Sequence, residues 1–352
     1  MIHPGRQALA ETGGTQSGPV VLSAAASGLV DFIEAQGGDV DSIFGNCGIA
    51  PEMTAAPTLQ LRLAAYCGLF EEAAKQTGRD NFGLWFGQQF SPRDLGMWGY
   101  ASLSSPTLGS ALENLVGLFR YQQSSSAMGL RRDADGRMRL EYQILSPAII
   151  ARRQDAELSL GQFTNIIREA CGRRWSPLEI QFEHPRPDDW RQHELAFGAP
   201  VFFGCKTNAI IFDADLLARP MPGRDLKLLT MMQTCLQSLG SHDRSESLID
   251  RVRGAVRLRL TDGAPTLEQI AHMLRLSPTA IQRALADAGL GYREAVDATR
   301  YDLARHYLQQ SQLPLSEIAL LLGYSELSAF TRAFTRWAGI SPRAYRSGLL
   351  RH

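Results

Sequence analysis

Arg283 and Arg332 stand 49 residues apart, and each closes a short polar set: Thr279 and Gln282 before the first, Glu326, Ser328 and Thr331 before the second. Arginine can make paired hydrogen bonds to guanine and glutamine to adenine. Small or polar side chains on the first turns of a helix are the ones that reach base edges when the helix enters a major groove. These seven residues are therefore candidates for base contact. Arg305, Arg336, Arg343 and Arg346 suit contacts to phosphate, which add affinity without base choice. Each has a bland alternative. Arg332 could pair with Glu326 or Asp302 in a surface salt bridge of little worth, and Ser328 and Thr331 could simply be solvated.

The elements needed to present these residues can be read from capping signals. Leu248, Val252, Ala255, Val256 and Leu260 form one apolar stripe of a helix. Thr266 followed by Gln269 is a capping box that starts a second, short helix ending near Leu274. Ser277-Pro278 opens a third, which Gly289 stops. Two short helices joined by a tight turn make a helix-turn-helix unit.

The plan then repeats. Leu267, Ile270, Ala271, Leu274 and Ser277 match Leu315, Ile318, Ala319, Leu322 and Ser325 at an offset of 48, and Ile281, Arg283 and Leu285 match Phe330, Arg332 and Phe334 at 49. Such self-similarity marks a duplicated unit. In the second copy Ser316 is expected as the cap of the first helix, Gly323 as the turn, and Ser325 as the cap of a helix running to about Trp337. Ser341-Pro342 opens a last helix. A long helix over Arg293 to Gln310, with Val296, Leu303 and Tyr307 on one face, joins the copies.

The stretch 318–346, IALLLGYSELSAFTRAFTRWAGISPRAYR, resembles the second-motif signature of the AraC/XylS family at every fixed position. The resemblance covers roughly residues 245 to 350. The first motif has one residue fewer between Leu285 and Gly289 than the second has between Phe334 and Gly339. The resemblance implies a sequence-specific transcription regulator, commonly an activator, whose two recognition helices enter successive major grooves about 34 Å apart on one face of double-stranded DNA. It also implies RNA polymerase as a partner.

Charge agrees. From Arg244 onward there are 15 arginines, no lysine and 10 acidic residues, a surplus of five, within a chain of zero net charge. With 352 residues the chain should hold two domains. The expected fold is an α+β N-terminal domain followed by an all-α domain of two helix-turn-helix units joined by a long helix. The expected divisions are a flexible tail at 1–19, an effector-binding or dimerisation domain at 20–240, a linker at 241–247 and the DNA-binding domain at 248–350.

In the front domain, helical spacing occurs at 23–36, 58–77, 107–121 and 156–172, and strand patterns at 138–145, 178–183 and 209–212. Phe82-Gly-Leu-Trp-Phe-Gly, Leu95-Gly-Met-Trp-Gly-Tyr100 and Ser104 to Leu112 resemble, more loosely, the N-terminal domain of the ornithine-utilisation group of AraC-type regulators. That implies a small-molecule effector, a homodimer, or both. Trp85, Phe86, Trp98 and Tyr100 are candidates to line an effector pocket, with core packing as the competing role. His184 and His193 fit no zinc spacing and read as a solvated loop. Five cysteines without a C-x-x-C pair suggest reduced, mostly buried thiols. The apolar run Val20 to Val30 is too short to span a bilayer and reads as a helix start, so a cytoplasmic protein without membrane contact is expected.

An enzyme is not expected. The DNA-repair methyltransferases that share this module carry a four-cysteine zinc site and a Pro-Cys-His-Arg segment, and neither is present. Walker, G-x-S-x-G and H-E-x-x-H patterns are also missing, and no cofactor or metal is implied.

Overall fold

The computed structural model describes residues 18–240, 248–309 and 313–349. Most of the expected tail and the whole of the expected linker at 241–247 lie outside these.

The run from Val20 is a strand followed by a 3-10 turn, and helix begins only at Leu29. Strand β1 (Val20–Leu22) pairs antiparallel with β2 (Gln60–Arg62). Helices α1 (Leu29–Ala35) and α2 (Val40–Cys47) lie between them. The helix expected from residue 58 starts at Leu63 instead, as α3 (Leu63–Thr77). Leu59 fits the helical spacing of 58–77, but it precedes the strand pairing and is 42% exposed.

The Phe-Gly-Leu-Trp-Phe-Gly segment is explained by packing. It forms α4 (Phe82–Gln89), which crosses a later helix, α7 (Arg153–Cys171), at backbone contact. A methyl on Gly83 or Gly87 would overlap the backbone of Gln154 or Leu158. Between them come α5 (Gly96–Leu103) and α6 (Leu108–Gln122), the latter started by a capping box in which Thr107 and Ser110 exchange bonds.

The main sheet has five strands in the order β3 (Ser126–Arg132), β4 (Met138–Ile144), β7 (Asn208–Phe212), β5 (Glu179–Gln181), β6 (Val201–Phe202). All neighbours are antiparallel except β5 and β6. Helix α8 (Arg191–Phe197) precedes β6, and α9 (Leu226–Ser238) ends the front region. On β4, Leu140, Tyr142 and Ile144 face the core, where the Tyr142 ring meets Phe119 and Phe163 edge-on. The other face carries Arg139, Glu141 and Gln143, bonded in turn to Gln181, Arg131 and Glu183.

From Leu248 onward every element is helical, and the buried residues from Val252 to Phe334 form a hydrophobic cluster separate from that of the front region. The order is α10 (Leu248–Arg259), α11 (Leu267–Leu274), α12 (Pro278–Asp287), α13 (Tyr292–Gln309), α14 (Leu315–Leu321), α15 (Leu327–Ala338) and α16 (Pro342–Leu349). An α+β part followed by an all-α part with two helix-turn-helix units is thus the fold. No helix among the described residues is long and apolar enough to cross a membrane.

Candidate nucleic-acid interface and the domain junction

The first unit forms as its caps dictate. The Thr266 hydroxyl accepts from the Gln269 amide at 3.3 Å, and Gln269 Oε1 accepts from the Thr266 amide at 2.9 Å. Ser277 accepts from the Ala280 amide at 3.2 Å and starts α12. Ile281 and Leu285 face the core, which leaves Thr279, Gln282 and Arg283 exposed on the opposite face.

In the second unit two caps differ from expectation. Pro314 is the N-cap of α14, so Ser316 lies inside the helix. Proline needs no partner for an amide it lacks. Glu326, one residue beyond Ser325, is the N-cap of α15, and the Ser328 hydroxyl donates to its carboxylate at 3.0 Å. Phe330, Ala333 and Phe334 anchor α15, with Ser328 and Arg332 exposed. Thr331 is half-buried and its hydroxyl donates back to the Leu327 carbonyl at 2.9 Å, which makes it the least available of the seven. Among the described residues no carboxylate lies within salt-bridge distance of Arg283 or Arg332: Asp302 pairs with Arg253 instead. The shorter first motif gives a shorter recognition helix, α12, ended by Gly289 at φ 71°.

Helix α13 is tied to both units. The Tyr292 hydroxyl donates to the Pro265 carbonyl at 2.9 Å, ahead of α11. At the other unit Arg300 Nε donates to the Leu322 carbonyl at 3.0 Å, and its guanidinium stacks 4.4 Å from the Tyr324 ring. Between them sits Gly323 at φ 74°, where a Cβ would strike the Leu260 carbonyl. Only glycine suits that position.

The four candidate phosphate arginines are unlike one another. Arg343 is exposed and makes no ion pair among the described residues. Arg336 pairs with Asp297 at 2.9 Å, and Arg305 donates to the Tyr345 hydroxyl at 3.1 Å. Arg346 is half-buried, with Nε and Nη2 lacking partners, and burial lowers its basicity.

The four front-domain aromatics do not converge. Phe86 packs with Phe32, Phe70 and Phe90, while Trp98 packs with Phe119 and Phe163 and donates to the Leu115 carbonyl at 2.9 Å. Both are core residues. Trp85 and Tyr100 are partly exposed. Of the cysteines, all are free but only Cys67 is buried.

His184 and His193 are not in a solvated loop. Both are buried around Glu157, His193 Nε2 at 2.8 Å and His184 Nε2 at 3.6 Å from its carboxylate. Burial alone would raise the Glu157 carboxyl, but Arg153 and His193 overcome it and bring it down to about 2. Burial pushes His184 down to about 4 despite Glu157, so its ring stays neutral.

These histidines border a junction that no sequence pattern announces. Helix α10 lies against the segment after β4, with Gly254 beside the Leu145 carbonyl. Arg257 Nη1 donates to the Ile149 carbonyl at 3.1 Å. Arg152, on the front domain, holds Glu183 with two nitrogens at 2.7 and 2.9 Å. Burial, and after it the nearby Arg152, bring Arg257 down to about 10. Burial followed by Arg257 and Arg152 brings His306 down to about 4. The partners are spread from residue 145 to residue 307, so no local spacing could reveal them.

A family model described as the arabinose-binding domain of AraC transcription regulator, N-terminal, matches residues 37–221, and a helix-turn-helix domain model matches 270–348. The chain belongs to the AraC family of transcription regulators. It is 31% identical over 328 residues to the ornithine utilization regulator of Pseudomonas aeruginosa, covering 93% of this chain and 96% of that one. It is 29% identical over 322 residues to the HTH-type transcriptional regulator VirS of Mycobacterium tuberculosis, covering 91% and 94%. A crystal structure of the transcriptional regulator CdpR from Pseudomonas aeruginosa aligns at 23% identity and a TM-score of 0.40 over 90% of this chain and 98% of that one, too low to carry an argument about fold. As an AraC-family member the chain is a DNA-binding transcription regulator with an N-terminal ligand-binding domain, and the matched families and relatives are regulators rather than enzymes.

Proposed function

We propose that this regulator reads its operator with the outward faces of α12 and α15, Arg283 and Arg332 making the principal base contacts and Thr279, Gln282, Glu326, Ser328 and Thr331 filling in around them. The observation that carries this reading is the equivalence of the two arginines: each is exposed on its recognition helix, and neither is held by a carboxylate among the described residues. Arg343 is the freest phosphate contact, while Arg305 and Arg336 leave intramolecular partners to serve. Arg332→Ala should cost about 1–3 kcal/mol on an operator selected from a random pool and relax base choice at one position. Equal weakening on random duplex would refute the assignment.

The same reading makes the front domain an effector sensor and the protein an activator working with RNA polymerase. Amino acids and amines head the panel of compounds to test, because one relative is named for ornithine utilisation. A saturating effector should raise thermal stability, by about 2.7 kcal/mol at a hundred times its dissociation constant. Transcription in vitro from an operator-bearing promoter tests activation. A homodimer is part of the reading: Leu226 and Met231 on α9 are exposed apolar side chains suited to a second copy, and sedimentation of the full chain checks it.

A further inference from the structure

The junction between the domains forms a partly open cavity of about 60 Å³ lined by Gln143, Arg152, Glu183, Arg257, His306 and Tyr307 among others. By the volume that one water needs, it has room for about four. It adjoins a wider cleft of about 860 Å³, the two sharing Arg153, His184, Pro185 and His306 in their walls. Both spaces are walled by the front domain on one side and by α10 or α13 on the other.

The charges lining the small cavity do not balance. Glu183 is fully used: both its oxygens take Arg152, and the Gln143 side chain donates to it at 2.6 Å. Arg153 is spent on Glu157 and Asp80. Arg257 has a carbonyl, that of Ile149, but no carboxylate within salt-bridge distance among the described residues. A guanidinium partly taken from water without a counter-charge is costly, and here a second guanidinium, Arg152, lies close enough to oppose it. His306 cannot supply an anion, and burial, helped by the two arginines, keeps it neutral. Arg152 and Arg153 thus have carboxylates and Lys206, which also lines the cavity, has a partner of its own, so Arg257 is the lining cation without a counter-charge among the described residues, in a space of a few heavy atoms with donors presented from both domains.

We propose that this cavity is a binding site for a small organic carboxylate, which Arg257 of the DNA-binding domain and Arg152 of the front domain grip together. Guanidinium and carboxylate match in plane and spacing, and a charge of minus one supplies the counter-charge that Arg257 lacks. The rest of such a molecule extends past His184 and His306 into the wider cleft. Because the ligand touches both domains, its binding free energy favours the docked arrangement over a separated one, which is the differential affinity that a switch requires. The inference rests on the reading of this protein as a ligand-responsive regulator and gives that response a place and a ligand class.

The test uses the full chain. Propionate is titrated at constant ionic strength, with propionamide as the neutral isostere and inorganic phosphate as the rival anion. Readouts are thermal unfolding and hydrogen exchange over 145–152 and α10. Propionate should raise the unfolding temperature saturably and slow exchange at the junction, propionamide should do neither, and Arg257→Gln should abolish both effects while Arg257→Lys keeps part of them. No response to propionate, or an equal response to propionamide or phosphate, overturns the carboxylate site. If Arg257→Gln fails to fold, His306→Gln and Arg257→Lys carry the comparison, and an unaltered response in both overturns it too. The amino acid and amine panel is run on the same variants. A panel compound that still stabilises Arg257→Gln as it does the wild type leaves the effector reading standing and removes this site.

Discussion

Gly254→Ala should loosen the junction while leaving the DNA-binding domain folded. The glycine is buried in the middle of α10, and a methyl built there lies 2.6 Å from the Leu145 carbonyl oxygen, against an ordinary contact of 3.4 Å or more. Relief requires α10 to retreat by roughly 0.8 Å, and neither partner is a flexible side chain. Two terms oppose each other. Alanine stabilises a helix interior by about 1 kcal/mol relative to glycine, whether or not the domains are docked. Overpacking against backbone costs about 1–3 kcal/mol and applies only to the docked state. Docking should thus weaken by about 1–3 kcal/mol, or about 5- to 150-fold in its equilibrium. Hydrogen exchange by mass spectrometry on the full chain reads this directly. Peptides covering 145–152 and the facing side of α10 should exchange faster, while those of α14 and α15 keep wild-type protection. Unchanged protection at the junction in a folded variant would refute the claim that backbone contact at Gly254 sets the docking distance.

Three other outcomes follow from the geometry. Asp155 is buried, and burial raises its carboxyl to about 7 in spite of the Tyr142 hydroxyl and Arg152. The folded value lies above the unfolded one, so the stability it contributes is complete below about pH 4 and is lost as pH rises through 7, up to about 4 kcal/mol. Asn at this position keeps an acceptor for Tyr142, so the advantage of Asp155→Asn in unfolding free energy should grow from pH 5 to pH 8; a constant difference contradicts this. The comparison cancels His184, whose lowered value makes stability fall as pH drops from 6.5 towards 4. Gly323→Ala sets a methyl against the Leu260 carbonyl at a left-handed backbone position, a strain of about 1–2 kcal/mol before the overlap is counted; a wild-type chemical denaturation curve would show that the turn yields more easily than its contacts imply. Arg343→Ala should weaken binding to all duplexes alike and lower the salt slope by about one. A loss confined to one operator would reassign it to base contact.

The DNA-binding half was legible because its signals are local. Thr266 with Gln269, Ser277 with Pro278 and the stripe from Ile281 to Leu285 each act within one or two turns, and the repeat displays them twice. The two misplaced caps have local causes as well: Pro314 removes a donor ahead of Ser316, and Glu326 intervenes between Ser325 and the helix. The front domain was harder: α1, α3, α6 and α7 were legible by spacing, the first two apart from their starts, while the helices α2, α4, α5, α8 and α9 and the four strands β1, β2, β3 and β6 were not. Three of those four are strands of two or three residues, too short to show alternation. The aromatic residues divide between their roles for another reason. Trp85 and Phe86 are neighbours in sequence, but on a helix they point to different sides, one outward and one into the core. The junction was illegible altogether. Arg257 lies off the apolar stripe of α10, and its surroundings come from a strand end, a loop and a distant helix.

The bonds that fasten α13 to both units bear on the DNA as well as on the protein. With Tyr292 at the start of the helix tied to one unit and Arg300 at its middle tied to the other, the two units share one stiff span, and a chain that reads DNA with both, as proposed, measures distance as well as base identity. A site with both words intact but about five extra base pairs between them turns the second word to the far side of the duplex. Such a site should be lost as completely as one with its letters scrambled. On the proposed reading, promoters served by this regulator should be free to drift in the bases between the words but not in their number.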